Sequence, residues 1–352
     1  MPYWNPMQHL NQMQWQKQLL YWAYIVLVCV LLRAAFYYQH LNQNLQIPVT
    51  DQSPFLFTVN SGQSFSSLSN QLEQAGIIAS SFDFRTYARF AGKAEQVQAG
   101  EYLLDDSMTA LDLLDKMVRG EIFYRQLSIP EGWTLAQAIR QIQDHPQVVT
   151  TFDRLDSTAL QTLFATEYYP EGLFFPDTYN FSTGISDREL LLRGAQMMQR
   201  VLSEEWPDRA VGLPFNTPYE ALIMASIVEK ETGLAEERPL IAGVFVNRLN
   251  NNMRLQTDPT VIYGLGDNFT GDLTRADLQA MTPYNTYRIN GLPPTPIALP
   301  GREAIAATLN PELSSYLYFV AKGDGSHYFS STLEEHNAAV ARYQLGGELN
   351  EQ

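Results

Sequence analysis

The chain has 352 residues, 45% hydrophobic and 17% charged, which is enough apolar material for two or three domains with real cores and excludes disorder over most of its length. A formal net charge of −15, with no arginine pairs or lysine runs, excludes nucleic acid as the main partner. The single cysteine, Cys29, excludes an internal disulfide framework and any multi-cysteine metal site.

Residues 19–32 (LLYWAYIVLVCVLL) carry no charge, and beyond Arg33 the run stays apolar to Tyr38. Its length is close to what a bilayer span needs. Tyr21, Trp22, Tyr37 and Tyr38 lie at the two ends, where interfacial aromatics belong, and Arg33 is placed to snorkel toward headgroups. A mostly polar stretch precedes the run and no A-x-A pattern follows it, so it reads as an anchor rather than a cleaved signal. We expect a tail over residues 1–18, one transmembrane helix over 19–38 and a Gln- and Asn-rich linker over 39–54, interrupted by Pro48 and Pro54. Charge leaves the orientation open, since Lys17 flanks one side and Arg33 lies on the other.

Phe55 to Val59 reads as a strand, Phe65, Leu68, Leu72 and Ile77 recur at roughly helical spacing, and a second helix is expected around Phe82 to Phe90. Gly100 to Leu104 is a second strand and Thr109 to Val118 a further helix. This order makes residues 55–125 a small α+β module. The rest, 126–345, is a larger mixed α+β domain followed by a tail over 346–352. It opens with a strand ending in Pro130-Glu131-Gly132 and a helix from Leu135 N-capped by Thr134. An aromatic, proline-containing stretch follows over 167–179, then a helix over 187–204. The next helix runs to Thr232, with Thr217 as N-cap and Pro218 at its first position, and Pro239 opens another. Thr260 to Tyr263 is strand-like. A proline-rich loop over 291–300, a helix over 302–309 and a strand over 316–320 complete the pattern.

The segment Ala225-Ser226-Ile227-Val228-Glu229-Lys230-Glu231-Thr232 ends an apolar helical run with two carboxylates. On a helix these two point about 200° apart, so they cannot act together on one substrate. Glu231 shares a face with Met224, Ile227 and Val228, and with Leu234 if the helix continues; Glu229 has the smaller and more polar neighbours. Desolvation should therefore raise the pKa of Glu231 more, which favours it as a general acid, with Glu229 as the fallback. Polar groups alternate with aromatics over 253–264, 283–287 and 291–294, a composition suited to a carbohydrate groove. Gln256, Asp258, Tyr284, Asn285 and Tyr287 are the substrate-binding candidates. His327 and His336 lie without a third ligand cluster, so they are expected in a structural or groove-edge role and no metal is expected.

These blocks, together with Pro130-Glu131-Gly132, Glu171-Gly172-Leu173-Phe174-Phe175-Pro176-Asp177-Thr178, and Tyr318-Phe319-Val320-Ala321 followed by His327 and His336-Asn337, resemble the endolytic murein transglycosylases, the YceG-like family, over about residues 55–345. The resemblance implies a lytic transglycosylase, a carbon–oxygen lyase acting on polysaccharide. It implies a single N-terminal helix in the bacterial inner (cytoplasmic) membrane, a cytoplasmic N-terminus, and a catalytic domain on the outer, periplasmic side. It also implies that residues 55–125 are LysM-like, and it carries the catalytic glutamate of the Glu-Lys-Glu-Thr motif onto Glu231. Nascent peptidoglycan strands would be cut between N-acetylmuramic acid and N-acetylglucosamine, ending elongation. The expected partners are glycan strands, the membrane and peptidoglycan synthases, with no cofactor. The expected chemistry uses one carboxylate where ordinary glycosidases use two. Glu231 protonates the glycosidic oxygen, the substrate N-acetyl group stabilises the cation, and the carboxylate then takes the proton of the C6 hydroxyl as a 1,6-anhydro end forms. The alternatives are a hydrolytic muramidase and a non-catalytic glycan-binding scaffold of the wall-synthesis machinery.

Overall fold

The apolar N-terminal run forms one long helix, α1 (Pro6–Leu41), in a computed structural model that describes residues 6–46, 55–152 and 156–345. The stretch Lys17–Leu41 is long and apolar enough to cross a membrane. The chain divides into two compact units, Met1–Arg125 and Gln126–Gln352.

In the first unit, β1 (Phe55–Val59), α2 (Phe65–Gln74), α3 (Ser81–Phe90), β2 (Gly100–Leu104) and α4 (Ala110–Arg119) follow in order. The two strands pair antiparallel, from Phe55 opposite Leu104 to Val59 opposite Gly100. Alternation buries Phe57, Val59, Tyr102 and Leu104 against Leu68, Leu72, Phe84, Leu113 and Leu114 of the helices. Ser64, Ser80 and Thr109 cap the three helices through their hydroxyls.

The polar linker expected from residue 39 begins later. α1 runs on to Leu41, and Leu41 and Leu45, four residues apart, are buried in this core. The N–H of Leu45 donates to the Met108 carbonyl at 2.7 Å and that of Gln46 to Ile77 at 3.1 Å. The Gln and Asn residues around them masked two well-placed leucines, and the remainder of the expected linker, residues 47–54, lies outside the described residues. Arg33, expected to snorkel, instead donates to Asp83 Oδ1 at 2.5 Å, and His40 Nδ1 lies 3.2 Å from Oδ2 of the same carboxylate.

The second unit contains β3 (Arg125–Ser128), α5 (Leu135–Gln143), α6 (Ser157–Phe164), β4 (Thr178–Phe181), α7 (Asp187–Glu205), α8 (Pro218–Glu231), α9 (Arg238–Asn250), α10 (Asp258–Leu265), α11 (Arg275–Gln279), α12 (Arg302–Leu309), β5 (Tyr318–Ala321), β6 (His327–Ser330) and α13 (Leu333–Tyr343). β3 pairs with β4, and β5 with β6 as an antiparallel hairpin. Residues 260–263 are helical, against the strand expected there. Their β-branched and aromatic side chains suggest a strand, but Pro259 at the first turn of α10 presets φ and starts a helix.

The centre of this unit is α8. Thr217 caps it, accepting from the Glu220 N–H at 3.2 Å, and Pro218 occupies the first turn, as the spacing predicts. Tyr219 and every residue from Ala221 to Val228 are buried, so the helix is covered on all faces by its neighbours α7, α9, α10 and α12 and by the loop before α12. The segment after α12 packs on α9 so closely that there is no room for a methyl group at Gly243, where a Cβ would lie 2.5 Å from the Glu312 carbonyl oxygen. Gly243→Ala is expected to destabilise the protein by about 1–3 kcal/mol through this overpacking. Gly233→Ala, where a Cβ meets nothing within 4 Å, is expected to stay within about 0.5 kcal/mol of wild type. Thermal melting of the two variants side by side measures the difference.

Candidate active site

The last turn of α8 distributes its polar side chains in different directions. On one side, Ser226 Oγ accepts the N–H of Ile297 at 3.0 Å and Glu229 Oε2 accepts that of Gly301 at 3.0 Å, so one face of the helix holds the buried loop that precedes α12. Arg238 Nη2 stands 4.0 Å from Glu229 and 4.0 Å from Glu131. Burial raises the Glu229 pKa, and the Gly301 N–H and Arg238 oppose that. Lys230 Nζ donates to the Gly132 carbonyl at 3.2 Å, and Thr232 Oγ1 accepts from the Leu234 N–H at 3.0 Å as the helix ends. Glu229 thus ties the helix end to the loop before α12, and it does not line the cleft that Glu231 enters.

Glu231 points the other way, into a cleft of about 560 Å³. Arg248, Gln256, Asp258, Tyr287, Tyr318 and His327 share its walls. Thr257 donates its hydroxyl to Glu231 Oε1. Thr257 occupies the N-cap position of α10 but makes no capping bond, and its hydroxyl hydrogen goes to the glutamate. Its own backbone is held by a buried threonine cluster: Thr257 N–H donates to Thr286 Oγ1 at 3.0 Å, and Thr260 Oγ1 donates to the Thr257 carbonyl at 2.8 Å. Gln256, just before it, sits at φ +53°, a conformation costly for a residue with a side chain and common at functional sites.

Burial pushes the Glu231 carboxyl up to about 7; the charge of Asp258 adds to this, while the Thr257 hydroxyl, His327 and Arg248 pull it down. The residue still opens partly to the cleft, so an acid held half-protonated near neutrality faces the space a ligand would fill. Helix α8 stops at Glu231, so Leu234 is not on its face; the cleft walls complete the enclosure begun by Met224, Ile227 and Val228.

Arg248 is nearly buried and holds the cleft's loops together. Its Nε donates to the Leu317 carbonyl at 2.6 Å and its Nη1 to that of Leu255 at 2.7 Å, and its guanidinium lies 5.1 Å from the centre of the Tyr318 ring. Tyr287 donates to Asp258 Oδ1 at 2.7 Å, which fixes both side chains on one wall.

Of the five groove candidates, Gln256, Asp258 and Tyr287 line the cleft with Glu231. Two do not. Asn285 has no exposed surface: its amide donates to the carbonyls of Asp277, Leu278 and Ala280 and ties the following loop to α11. Tyr284 bonds Thr295 at 2.9 Å and packs edge-on against Tyr263, away from the cleft. Tyr284, Asn285 and Tyr287 read as groove because polar and aromatic residues mix there, but the turn directs the consecutive side chains of Tyr284, Asn285 and Thr286 away from the cleft and only Tyr287 into it.

Reasoning from sequence passed over Thr257 and Arg248. Thr257 lay inside the quoted Gln256-Thr257-Asp258 block, and its separation from Glu231 along the chain hid the contact. His327 and His336 both reach the cleft, His336 stacked on Tyr318 at 5.2 Å. Among the described residues, no three of His, Cys, Asp and Glu come together as metal ligands would.

Glu171, quoted above only as part of a motif, is a further buried carboxyl. Burial raises it to about 7, opposed by the N–H of Leu135 at 2.7 Å, the hydroxyl of Tyr263 at 3.1 Å and the Gly172 N–H. It joins the N-terminus of α5 to α10 and lies outside the Glu231 cleft.

Residues 57–342 match the YceG-like family. The chain is 32% identical over 334 residues to the endolytic murein transglycosylase of Bacillus subtilis (strain 168), covering 89% of this chain and 91% of that protein. It is 31% identical over 366 residues to the protein of the same name from Streptococcus pneumoniae serotype 2 (strain D39 / NCTC 7466), covering 93% of this chain and 65% of that longer protein. A crystal structure of the yceG-like protein lmo1499 from Listeria monocytogenes aligns with a TM-score of 0.47 at 31% identity, over 81% of this chain and 98% of that one. With a family match over most of its length and a relative this similar nearly end to end, the chain belongs to the YceG-like family.

Proposed function

We propose that the protein is a membrane-anchored endolytic murein transglycosylase and that Glu231 is its acid. The observation that carries this reading is the Glu231 carboxyl, held by burial at about 7 on the floor of a cleft walled by aromatic and polar side chains. The substrate comes from the names of the relatives, which are murein transglycosylases.

In this mechanism protonated Glu231 gives its proton to the glycosidic oxygen between N-acetylmuramic acid and N-acetylglucosamine of a nascent strand. The muramyl N-acetyl group stabilises the positive charge that grows at C1. The C6 hydroxyl of the same sugar then gives up its proton, in the simplest form to the Glu231 carboxylate just vacated, as its oxygen bonds to C1 and leaves a 1,6-anhydro end, so no water is consumed and elongation stops. Tyr287 offers an aromatic face to a sugar, and Gln256 and Asp258 offer hydrogen bonds to hydroxyl and acetamide groups. None of these steps calls on a metal or cofactor.

Residues 55–125 are the LysM-like module of this reading, supported by their strand–helix–helix–strand order. The apolar part of α1 is the single-pass anchor, with the N-terminus in the cytoplasm and residues 55–345 on the outer face of the bacterial inner membrane, beside the synthases that make the strand.

One observation favours a second reading. Asp258 is a carboxylate in the same cleft as Glu231, so a hydrolytic muramidase could use the pair as acid and base. Mass spectrometry of products from purified sacculi separates the two. Anhydro ends are expected; reducing ends would establish the hydrolase.

Glu231→Gln keeps the size of the side chain and a hydrogen bond to Thr257 but cannot donate an acidic proton. Turnover on sacculi is expected to fall by about 10²- to 10⁴-fold with strand binding retained. Release of anhydro-muropeptides at the wild-type rate would remove Glu231 as the acid.

An acid must be protonated to act, so wild-type kcat is expected to decline as pH rises through about 7. Asp258→Asn removes a negative charge that holds the proton on, so the decline moves to lower pH. The pH–rate profiles of both proteins test this, and the hydrolase alternative predicts instead that Asp258→Asn is inactive.

The same shift acts on stability. Between 4.5, the ordinary carboxyl value, and about 7 the folded chain holds a proton at Glu231 that the unfolded chain has lost, so stability falls as pH rises through that window. Glu231→Gln escapes this penalty. The variant is expected to melt above wild type at pH 8, with the advantage vanishing below about pH 4.5.

A further inference from the structure

A histidine faces the cleft in a geometry that no step so far has used. His327 opens β6, and its backbone N–H donates to Glu237 Oε1 at 2.8 Å while its ring Nδ1 lies 2.6 Å from Oε2 of the same carboxylate. Glu237 ends the short turn Ala235–Glu237 that follows α8, so the loop leaving Glu231 also supplies the clamp on this imidazole. An ionised carboxylate only accepts hydrogen bonds, and this places the hydrogen on Nδ1. In the neutral ring Nε2 then carries the lone pair. The ring plane is set edge-on against Phe319, with centroids 5.4 Å apart. His327 lines the cleft together with Glu231, and among the described residues Nε2 has no protein partner.

We propose that the Glu237–His327 pair is the base of the reaction, with Nε2 taking the proton of the muramyl C6 hydroxyl as that oxygen closes on C1. This rests on the transglycosylase reading above and reassigns its second proton transfer, which the sequence-based expectation gave to the Glu231 carboxylate. The bonds balance without any further reactant. The C1–O4 bond breaks and O4 takes the Glu231 proton; the O6–H bond breaks, its proton passes to Nε2, and O6–C1 forms. The site then holds a glutamate and an imidazolium, and return of one proton from His327 to Glu231 restores the starting state. The carboxylate of Glu237 has the role that an aspartate has behind a catalytic histidine elsewhere: it fixes the tautomer and stabilises the cation that forms. Glu231, by contrast, accepts the Thr257 hydroxyl on one oxygen and needs only to donate.

The test is steady-state kinetics of the full-length protein on glycan strands, with Glu231→Gln measured alongside. His327→Ala is expected to lose about 10²- to 10³-fold in kcat with KM within about twofold of wild type, and added imidazole is expected to restore at least about tenfold of the loss. His327→Gln retains an N–H for Glu237 but has no basic lone pair, and it should show the same kcat loss if the alanine variant does not fold. Glu237→Gln should lose about tenfold in kcat. Wild-type kcat in His327→Gln, or a loss carried by KM alone, would overturn the assignment. An active Glu231→Gln would instead overturn the acid, and with it the reading on which this proposal stands.

Discussion

A helix buried on every face has few places for charge, and α8 gathers Glu229, Lys230 and Glu231 in its C-terminal turn. Hydrocarbon covers Tyr219 and Ala221 to Val228 from all sides, so whatever the last turn carries must be satisfied locally or remain a cost to the fold. Ser226, Glu229, Lys230 and Thr232 are satisfied by backbone groups of other segments or of the turn itself. Those bonds fix the helix end in place. Glu231 is the member of the set whose partner is a side-chain hydroxyl and whose carboxyl still reaches open space. The rigidity obtained from its neighbours is what allows one glutamate to be held in place while poorly solvated.

Thr257 shows how the cost is limited without being cancelled. A hydroxyl that donates to a carboxylate favours the ionised form, and so do the Arg248 guanidinium and, once it has taken a proton, the His327 ring; burial and Asp258 act against them and prevail. Had Arg248 bonded Glu231 directly, the carboxyl would behave as an ordinary ion-pair member and could not hold a proton near neutrality. Arg248 is instead occupied with the carbonyls of Leu255 and Leu317, which keeps its charge close but its donors elsewhere.

What was legible in the sequence follows the range of the forces involved. The Thr217–Pro218 start of α8, the opposed faces of Glu229 and Glu231, and the βααβ order of the first unit rest on contacts within a few residues, and the structure reproduces them. The strand expected at 260–263 failed because side-chain preference was weighed above the proline that begins α10. Leu41 and Leu45 were missed because two leucines in a polar stretch signal burial only when the surface that receives them is known. The misplacement of Tyr284 and Asn285 has the same origin, since polarity marks a groove only when the backbone turns the side chains outward. Thr257, Arg248 and the Glu237–His327 clamp depend on pairs far apart in the chain, and no periodicity carries such pairings.

The cleft contains two candidate proton acceptors, and they differ in what surrounds them. Asp258 is exposed, and one of its oxygens already accepts the Tyr287 hydroxyl, so water competes for it and its charge acts mainly at a distance, on Glu231. His327 is fixed through both its backbone and its ring by one carboxylate, and its open nitrogen requires no reorganisation before it can accept. Preorganisation of that kind lowers the barrier to a proton transfer more than proximity of a solvated charge does. A site built this way can keep acid and base on separate groups. The glutamate that the helix isolates then need not reverse its role within a single turnover.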